Sequence, residues 1–414
     1  QERLRGCMLD LLGALVAGSG SGQFAAGLAL ARRAFRSGDI AVIGAADTFD
    51  FLGASAAMGH ASNAYDIDDG HNIIRAHPGT SFIGGLLAAG YECDLNAQDF
   101  LAALYVSYET TIRMGEAIMD YYQYAHSSGT FGAVGVAAGA GRIYGLDRAA
   151  LNNILSIAEF NAPLVPGIRS VEYPSMNKDG VPFGVMIGAL ALLADQCGFT
   201  GNKHLLEADE YRRYLDDLGQ NHEVMALYFK PYPCCRWGHP AIDACLALMA
   251  EHHVTAQDIK SVTVETFYKA TQLSKGIPSC ADAAQYNIAY PVAAAIVNNG
   301  FSIQQVENTN DDAVIDMMGR LSFVCDPELD AQFPARRLCR AAMVLKDGRR
   351  IVSDVHEPRG EACENIGYDW LADKFHRITA HRLTSPQQEV FIQRLHNDDW
   401  TVRQLISQVN AALL

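Results

Sequence analysis

Titratable side chains concentrate in one stretch of the chain, residues 59–79, which has the sequence GHASNAYDIDDGHNIIRAHPG. Three aspartates, three histidines and one arginine fall within these twenty-one residues, whereas the small-residue helical patterns on either side carry little charge. Spacing predicts that Asp66 and Asp69 share one face of a helix, and that His71 and His77 follow in a loop. Such a density of acid and base groups between two core-forming segments needs an explanation.

Three interpretations of this stretch are open. It could be a helix end followed by a solvated acidic loop. It could be a metal site for a hydrolase, built from Asp66, Asp69, His71 and His77, but no HxH or HExxH pattern supports one, and we predict no metal. The third interpretation is a general acid–base cluster, in which carboxylates orient imidazoles and tune their pKa values.

Three other segments carry groups that suit the same chemistry. His126 precedes a predicted helix start at Ser128, and the free amides of a helix N-terminus bind carboxylates well. Lys178 stands alone in the loop before the most apolar helix, either as a solvated surface lysine or as a desolvated cation. In FKPYPCCRWGHPAIDA, Arg236 precedes His239, which falls at the start of another predicted helix. Taken alone, each of these segments could equally carry its charged residue without any role in chemistry.

Composition restricts the partners. The net charge of −15 argues against nucleic acid and anionic membranes, although a few cations in a cleft still suit an acidic small molecule. The longest apolar run, residues 181–195, is too short for a membrane span. Ten cysteines without a CxxC pair indicate reduced thiols in a cytoplasmic protein. The chain does not begin with Met, and we expect native residues to precede Gln1.

Hydrophobic periodicity indicates which elements position these groups. Helical patterns rich in Gly and Ala fill most of the chain, so a mainly α fold is predicted. Near Ile259 the pattern changes to period two, and a Lys-Asp-Gly turn then joins two strands in a hairpin. From Ser385 the pattern is helical again. The prediction is a large all-α helical domain (1–258), an inserted smaller α+β lid domain (259–380) and C-terminal helices (381–414) that return to the helical domain.

Taken together and in order, these motifs resemble the MmgE/PrpD family over essentially the whole chain. The shared motifs are the DIDDGH…HPG loop, a His before a TFG helix start, a loop Lys, YPCCR…HPAIDA and AQYNIAYPVAAA. The resemblance implies a homodimer with its active site in the cleft between the two domains, and neither a metal nor an organic cofactor. By position in the motifs, it assigns catalytic roles to Asp66, His77, His126, Lys178 and His239, and places Tyr290 at the substrate.

The resemblance also limits the reaction, because the family includes 2-methylcitrate dehydratase, cis-aconitate decarboxylase and iminodisuccinate epimerase. Each moves a proton on or off a carbon beside a carboxylate, so the site must stabilise negative charge as it forms. His126 or His77 would exchange the proton, and Asp66 would orient an imidazole. His71, Arg75 and Arg236 are further substrate-binding candidates, and substrate choice is expected at the step from Gly70 to His71.

Dehydration of a citrate-like tricarboxylate is the favoured reaction. Epimerisation of a dicarboxylate such as iminodisuccinate and decarboxylation of cis-aconitate are the alternatives within the family. A metal-dependent hydrolase and a non-catalytic carboxylate-binding protein are the alternatives outside it.

Overall fold

A computed structural model describes all residues from 1 to 414, and it is mainly helical: it has nineteen α-helices, and 57% of residues are helical when short 3₁₀ helices are included. The mainly α prediction is therefore confirmed. The first ten helices, whose connecting segments carry most of the predicted site, are α1 (Glu2–Gly18), α2 (Gly22–Ala34), α3 (Phe51–Ser62), α4 (Thr80–Glu92), α5 (Ala97–Tyr122), α6 (Ser128–Ile143), α7 (Arg148–Asn161), α8 (Ile168–Glu172), α9 (Val181–Gln196) and α10 (His239–His252).

Small residues let the helices around the site pack in close contact. Helices α4 and α9 pack against each other, and each of them also packs against α3 and α6. At the crossing of α6 and α9, a Cβ placed on Gly184 would lie 2.2 Å from the carbonyl oxygen of Gly129, so only glycine fits there. This close approach fixes the starts of α6 and α9, where the segments containing His126 and Lys178 enter their helices.

Two small sheets and one larger sheet complete the secondary structure. Strand β1 (Ser37–Ala41) pairs with β2 (Thr48–Phe49), and β3 (Asp69–His71) pairs with β4 (Leu227–Phe229). The larger sheet has the order β6-β5-β7-β8, with β6 parallel to β5 and the other pairs antiparallel. Its strands are β5 (Ile259–Thr266), β6 (Leu321–Cys325), β7 (Cys339–Leu345) and β8 (Arg350–Val352). The predicted hairpin is the β7–β8 pair, so that prediction is confirmed.

Nine more helices accompany and follow the larger sheet. Those beside the sheet are α11 (Tyr268–Thr271), α12 (Ala281–Gln285), α13 (Ala289–Asn298), α14 (Ile303–Glu307), α15 (Asp312–Met318) and α16 (Pro327–Asp330). The last three are α17 (Tyr368–Thr379), α18 (Ser385–His396) and α19 (Val402–Leu413), and α17 packs against α1. No single helix has both the length and the apolar composition for crossing a membrane; only the bent pair α1–α2 meets both criteria when taken together.

The apolar core has two main clusters. The larger cluster joins residues between 7 and 229 to residues between 368 and 409. The second surrounds the larger sheet together with α10 and α13. The exact division into domains at 258/259 and 380/381, and the lid role of the middle part, stay predictions.

Candidate active site

The acidic stretch after α3 is an ordered loop and not a helix. Helix α3 ends at Ser62, Asp66 adopts a left-handed backbone conformation with φ 51°, and Asp69 begins β3. The prediction that Asp66 and Asp69 share a helix face is therefore wrong. The loop folds back on itself through a hydrogen bond from the amide of His71 to the carbonyl of Ala76, 3.0 Å long, before α4 begins at Thr80.

The imidazole of His77 is held between carboxylates. Its Nδ1 lies 3.0 Å from Oδ2 of Asp68, and its Nε2 lies 3.4 Å from Oδ1 of Asp66 and 3.6 Å from Oδ2 of Asp179. Burial and the charge of Lys230 lower the pKa of His77, but Asp68 and Asp66 outweigh them and raise it to about 9. At neutral pH the ring is therefore an imidazolium, able to give up a proton.

Two members of this cluster, Lys230 and Asp179, were not among the predicted site residues. The Nζ of Lys230 donates to Oδ1 of Asp66 at 2.6 Å and to the Asp66 carbonyl at 3.1 Å. Burial opposes the charge on Lys230, but Asp66 nevertheless raises its pKa. Burial likewise raises the pKa of Asp179, against the effect of His77. The only sequence signal for Lys230 was its place in the FKPYPCCRWGHPAIDA segment, and for Asp179 its place directly after Lys178.

His126 has the opposite environment. It lies just before α6, is almost fully buried, and neither ring nitrogen has a hydrogen-bond partner. The ring packs against Tyr124 with 4.0 Å between centroids, and against Tyr122 at 5.2 Å. Burial lowers its pKa, so the ring is neutral at pH 7 and free to accept a proton.

Both imidazoles line one cavity of about 390 Å³. Besides the His77 imidazolium, five lysine and arginine side chains and two carboxylates line it, which gives an excess of positive charge in a chain whose overall charge is negative. These charged residues are Arg75, Lys230, Arg236, Lys269 and Arg337, with Asp66 and Asp179. Of the predicted site residues, the structure thus brings together Asp66, His77, His126, Arg75 and Arg236.

Four predicted site residues lie outside this cavity. The Nζ of Lys178 is turned towards α12, 2.6 Å from Oε1 of Gln285 and 2.9 Å from Oδ1 of Asp282. His239 does begin α10, but its Nε2 lies 3.0 Å from the carbonyl of Cys234. The hydroxyl of Tyr290 lies within hydrogen-bond distance of two backbone carbonyls, those of Gln305 and Asn308, and the ring of His71 lies 3.5 Å from Glu223. Any role of these four in the reaction stays a prediction.

The step from Gly70 to His71 has one direct link to the cavity. A Cβ on Gly70 would lie 2.2 Å from the ring of Tyr228, which lines the cavity, so glycine gives that ring its space. The guanidinium of Arg236 packs over the same Tyr228 ring, 4.4 Å from the ring centroid. Any effect of Gly70 on substrate choice would therefore act through Tyr228.

The four residues considered for a metal do not converge. Asp69 accepts hydrogen bonds from Tyr108 and from the amide of Gly79, away from the other three. A different set of three residues does converge: Asp66, His77 and Asp179 each place a donor atom within 4.8 Å of the others. The ammonium of Lys230 already binds Asp66 there, and a metal ion would have to displace it.

The fold and the cavity thus define a mainly helical protein with a buried, cation-rich acid–base site. A scan against family models matches the MmgE/PrpD N-terminal domain over residues 1–217 and the MmgE/PrpD C-terminal domain over residues 232–398. The chain therefore belongs to the MmgE/PrpD family, whose members are generally enzymes: dehydratases, decarboxylases and epimerases. No curated protein matched the chain.

Proposed function

We propose that the protein is a cofactor-independent lyase that dehydrates a citrate-like tricarboxylate, by removing a proton from a carbon beside a carboxylate. The observation that carries this proposal is the pairing of two imidazoles in one cavity: His126, unpartnered and neutral, and His77, held protonated by carboxylates. Two titratable groups whose environments move their pKa values apart are suited to serve as base and acid.

Substrate binding rests on the excess of cations. The excess of positive charge in the cavity favours a polyanion, and the burial of Lys230, Arg236 and Arg337 strengthens their attraction because the local dielectric is low. The N-terminus of α6 adds to this field, since Ser127 and Ser128 line the cavity at the start of a sixteen-residue helix. A carboxylate bound there would lie beside His126.

His126 acts as the base in this proposal. Its free ring nitrogen takes the proton from the carbon, and the electron pair left on that carbon becomes an enediolate shared with the neighbouring carboxylate. Cationic side chains such as Lys230, which are fixed before the reaction begins, stabilise the developing charge without reorganisation. The lowered pKa of His126 keeps the ring in the form that accepts a proton.

His77 acts as the acid. As the enediolate collapses to an alkene, the bond from the adjacent carbon to its hydroxyl breaks, the electron pair goes to oxygen, and His77 gives that oxygen a proton, so water leaves. Asp66 and Asp68 hold the ring in place during this transfer. The cycle closes when His126 loses its proton to solvent and His77 regains one.

The same pair of imidazoles also suits epimerisation of a dicarboxylate, in which one ring removes the proton and the other returns it on the opposite face. This is the second candidate, favoured by the same placement of both rings in one cavity. Decarboxylation of cis-aconitate is the third candidate.

One experiment separates these reactions. The protein is incubated in D₂O with citrate, 2-methylcitrate, cis-aconitate and iminodisuccinate, while alkene absorbance, deuterium incorporation and CO₂ release are followed. Dehydration predicts alkene formation, epimerisation predicts deuterium exchange without an alkene, and decarboxylation predicts CO₂. Binding without any of these would support the non-catalytic alternative, and activity lost to a chelator would support the metal-dependent one. The homodimer and the cytoplasmic location stay predictions.

A further inference from the structure

Six cationic side chains of the chain are almost fully buried, and one of them has no counterion. Five pair with carboxylates: Arg113 with Asp217, Lys178 with Asp282, Lys230 with Asp66, Arg236 with Glu361, and Lys374 with Asp10. The exception is Arg337, which is 5% exposed and forms neither an ion pair nor a hydrogen bond through its side chain. A guanidinium stays charged at all relevant pH values, so its burial without a counterion is costly.

Arg337 lies at the cavity, where a bound anion could compensate its charge. It lies between α16 and β7, in the part of the chain that carries the larger sheet, and it lines the same cavity as His77 and His126. Its Nε is fully buried without a partner. Its neighbour Arg336 is exposed and pairs with Glu357 at 2.9 Å, so only one of the two adjacent arginines faces the cavity.

A second unpaired arginine lies within electrostatic reach of the first. Arg75, in the loop before α4, lines the cavity and also has no ion pair. Arg75 is an exposed residue overall, but partial burial and then the positive charge of Arg337 lower its pKa, so the two like charges repel each other. Tyr228, which lines the same cavity, lies within electrostatic reach of Lys230, Arg236 and Arg337.

We propose that Arg337, assisted by Arg75, binds a carboxylate of the substrate that lies away from the reacting carbon. The proposal rests on the function proposed above and adds a specificity determinant: a substrate that lacks this carboxylate leaves the buried guanidinium unpaired. Because Arg75 and Arg337 come from different parts of the chain, one carboxylate bound by both would also join those parts around the cavity. Binding energy from this remote group would orient the reacting carbon towards His126.

The test measures binding, not turnover, so that it does not depend on the reaction. Calorimetry would follow tricarballylate and two analogues that each lack one carboxylate, glutarate and methylsuccinate, with wild type, Arg337→Gln and Arg336→Gln. Loss of one partner of a buried charged pair predicts that Arg337→Gln weakens tricarballylate at least about 30-fold. For at least one dicarboxylate the same substitution should weaken binding less than about threefold, because that acid already lacks the carboxylate that Arg337 binds.

The neighbouring variant is the matched control. Arg336→Gln should leave all three affinities unchanged, and ligand-free Arg337→Gln should melt at or above the wild-type temperature, because it removes an uncompensated buried charge. The proposal is overturned if wild type binds none of the three acids, if Arg337→Gln binds tricarballylate like wild type, or if it weakens all three acids equally. Failure to turn over any substrate, with this binding pattern intact, would overturn the proposed reaction and leave the subsite standing.

Discussion

The Nδ1 of His77 lies 3.0 Å from Oδ2 of Asp68, and this carboxylate also accepts a hydrogen bond from Thr80 at 3.0 Å. Thr80 is the first residue of α4, so a helix start fixes the carboxylate and the carboxylate fixes the ring. Asp68 does not line the cavity, and its pKa is lowered, because His77 and Lys230 outweigh the effect of its own burial. In the proposed reaction, Asp68 would therefore position His77 and keep it protonated.

Replacing Asp68 with Asn should lower the pKa of His77 from about 9 towards the ordinary value near 6.5, because it removes the nearest negative charge. The check is an NMR titration of the His77 ring in wild type and Asp68→Asn. The exposed Asp39→Asn is the control and should leave the titration unchanged. An unshifted His77 pKa in Asp68→Asn would contradict this account of the site.

The raised pKa of His77 also predicts a pH dependence of stability. A group whose pKa is higher in the folded state contributes stability that is fully present below its unfolded pKa and is lost as the pH rises through its folded value. The His77 contribution should therefore be lost between about pH 6.5 and about pH 9. Melting temperatures measured across this range should fall more in wild type than in Asp68→Asn. Equal slopes would show that the pair is not linked to folding.

Lys178, just before α9, contacts Asp282 and Gln285 of α12 and also donates to the carbonyl of Ala64 in the loop after α3. Removing one partner of a buried ion pair leaves the other uncompensated, so Lys178→Met should lower the free energy of unfolding by about 3–5 kcal/mol. Denaturant unfolding would measure it, with the exposed turn variant Lys346→Met as the control. A variant with wild-type stability but no activity would instead support the direct catalytic role that the family resemblance implies.

A second buried ion pair, Lys374 with Asp10, contacts the backbone of the acidic loop. The Nζ of Lys374 in α17 lies 2.5 Å from Oδ1 of Asp10 in α1 and 2.5 Å from the carbonyl of Ile67. Lys374→Met should destabilise the protein by about 3–5 kcal/mol. The double variant Asp10→Leu with Lys374→Met should lose less stability than the sum of the two single changes, because it leaves no unpaired buried charge. Melting temperatures of the two single variants and the double variant test this, and strict additivity would contradict it.

The helices and the hairpin could be predicted from the sequence because their apolar periodicity is local. The geometry of the site could not. The left-handed conformation of Asp66 ends any helical spacing with Asp69, and a left-handed Lys178, with φ 48°, turns its ammonium away from the cavity while the neighbouring Asp179 lines it. Nothing in the spacing of residues distinguishes those two orientations.

The lining from the second half of the chain was equally hard to foresee. Lys230 pairs with Asp66 from a position 164 residues away, and Arg337 meets the cavity from the segment before β7. Such long-range contacts depend on how distant segments of the chain pack together. Sequence patterns identified the loop of Asp66 and His77 and the arginines Arg75 and Arg236, while Lys230 and Arg337 became evident only once their burial and their position at the cavity were known.

The most direct test of the central claim is the rate of proton exchange at the carbon beside a carboxylate. Wild type and His126→Asn are compared by NMR in D₂O with citrate, 2-methylcitrate, cis-aconitate and iminodisuccinate, after calorimetry has shown that the variant still binds tricarballylate. The account predicts that wild type incorporates deuterium or forms the alkene with at least one of these acids, and that His126→Asn is slower by about 10²–10⁴-fold. Unchanged exchange in His126→Asn, or no exchange by wild type with any of the four acids, would contradict it.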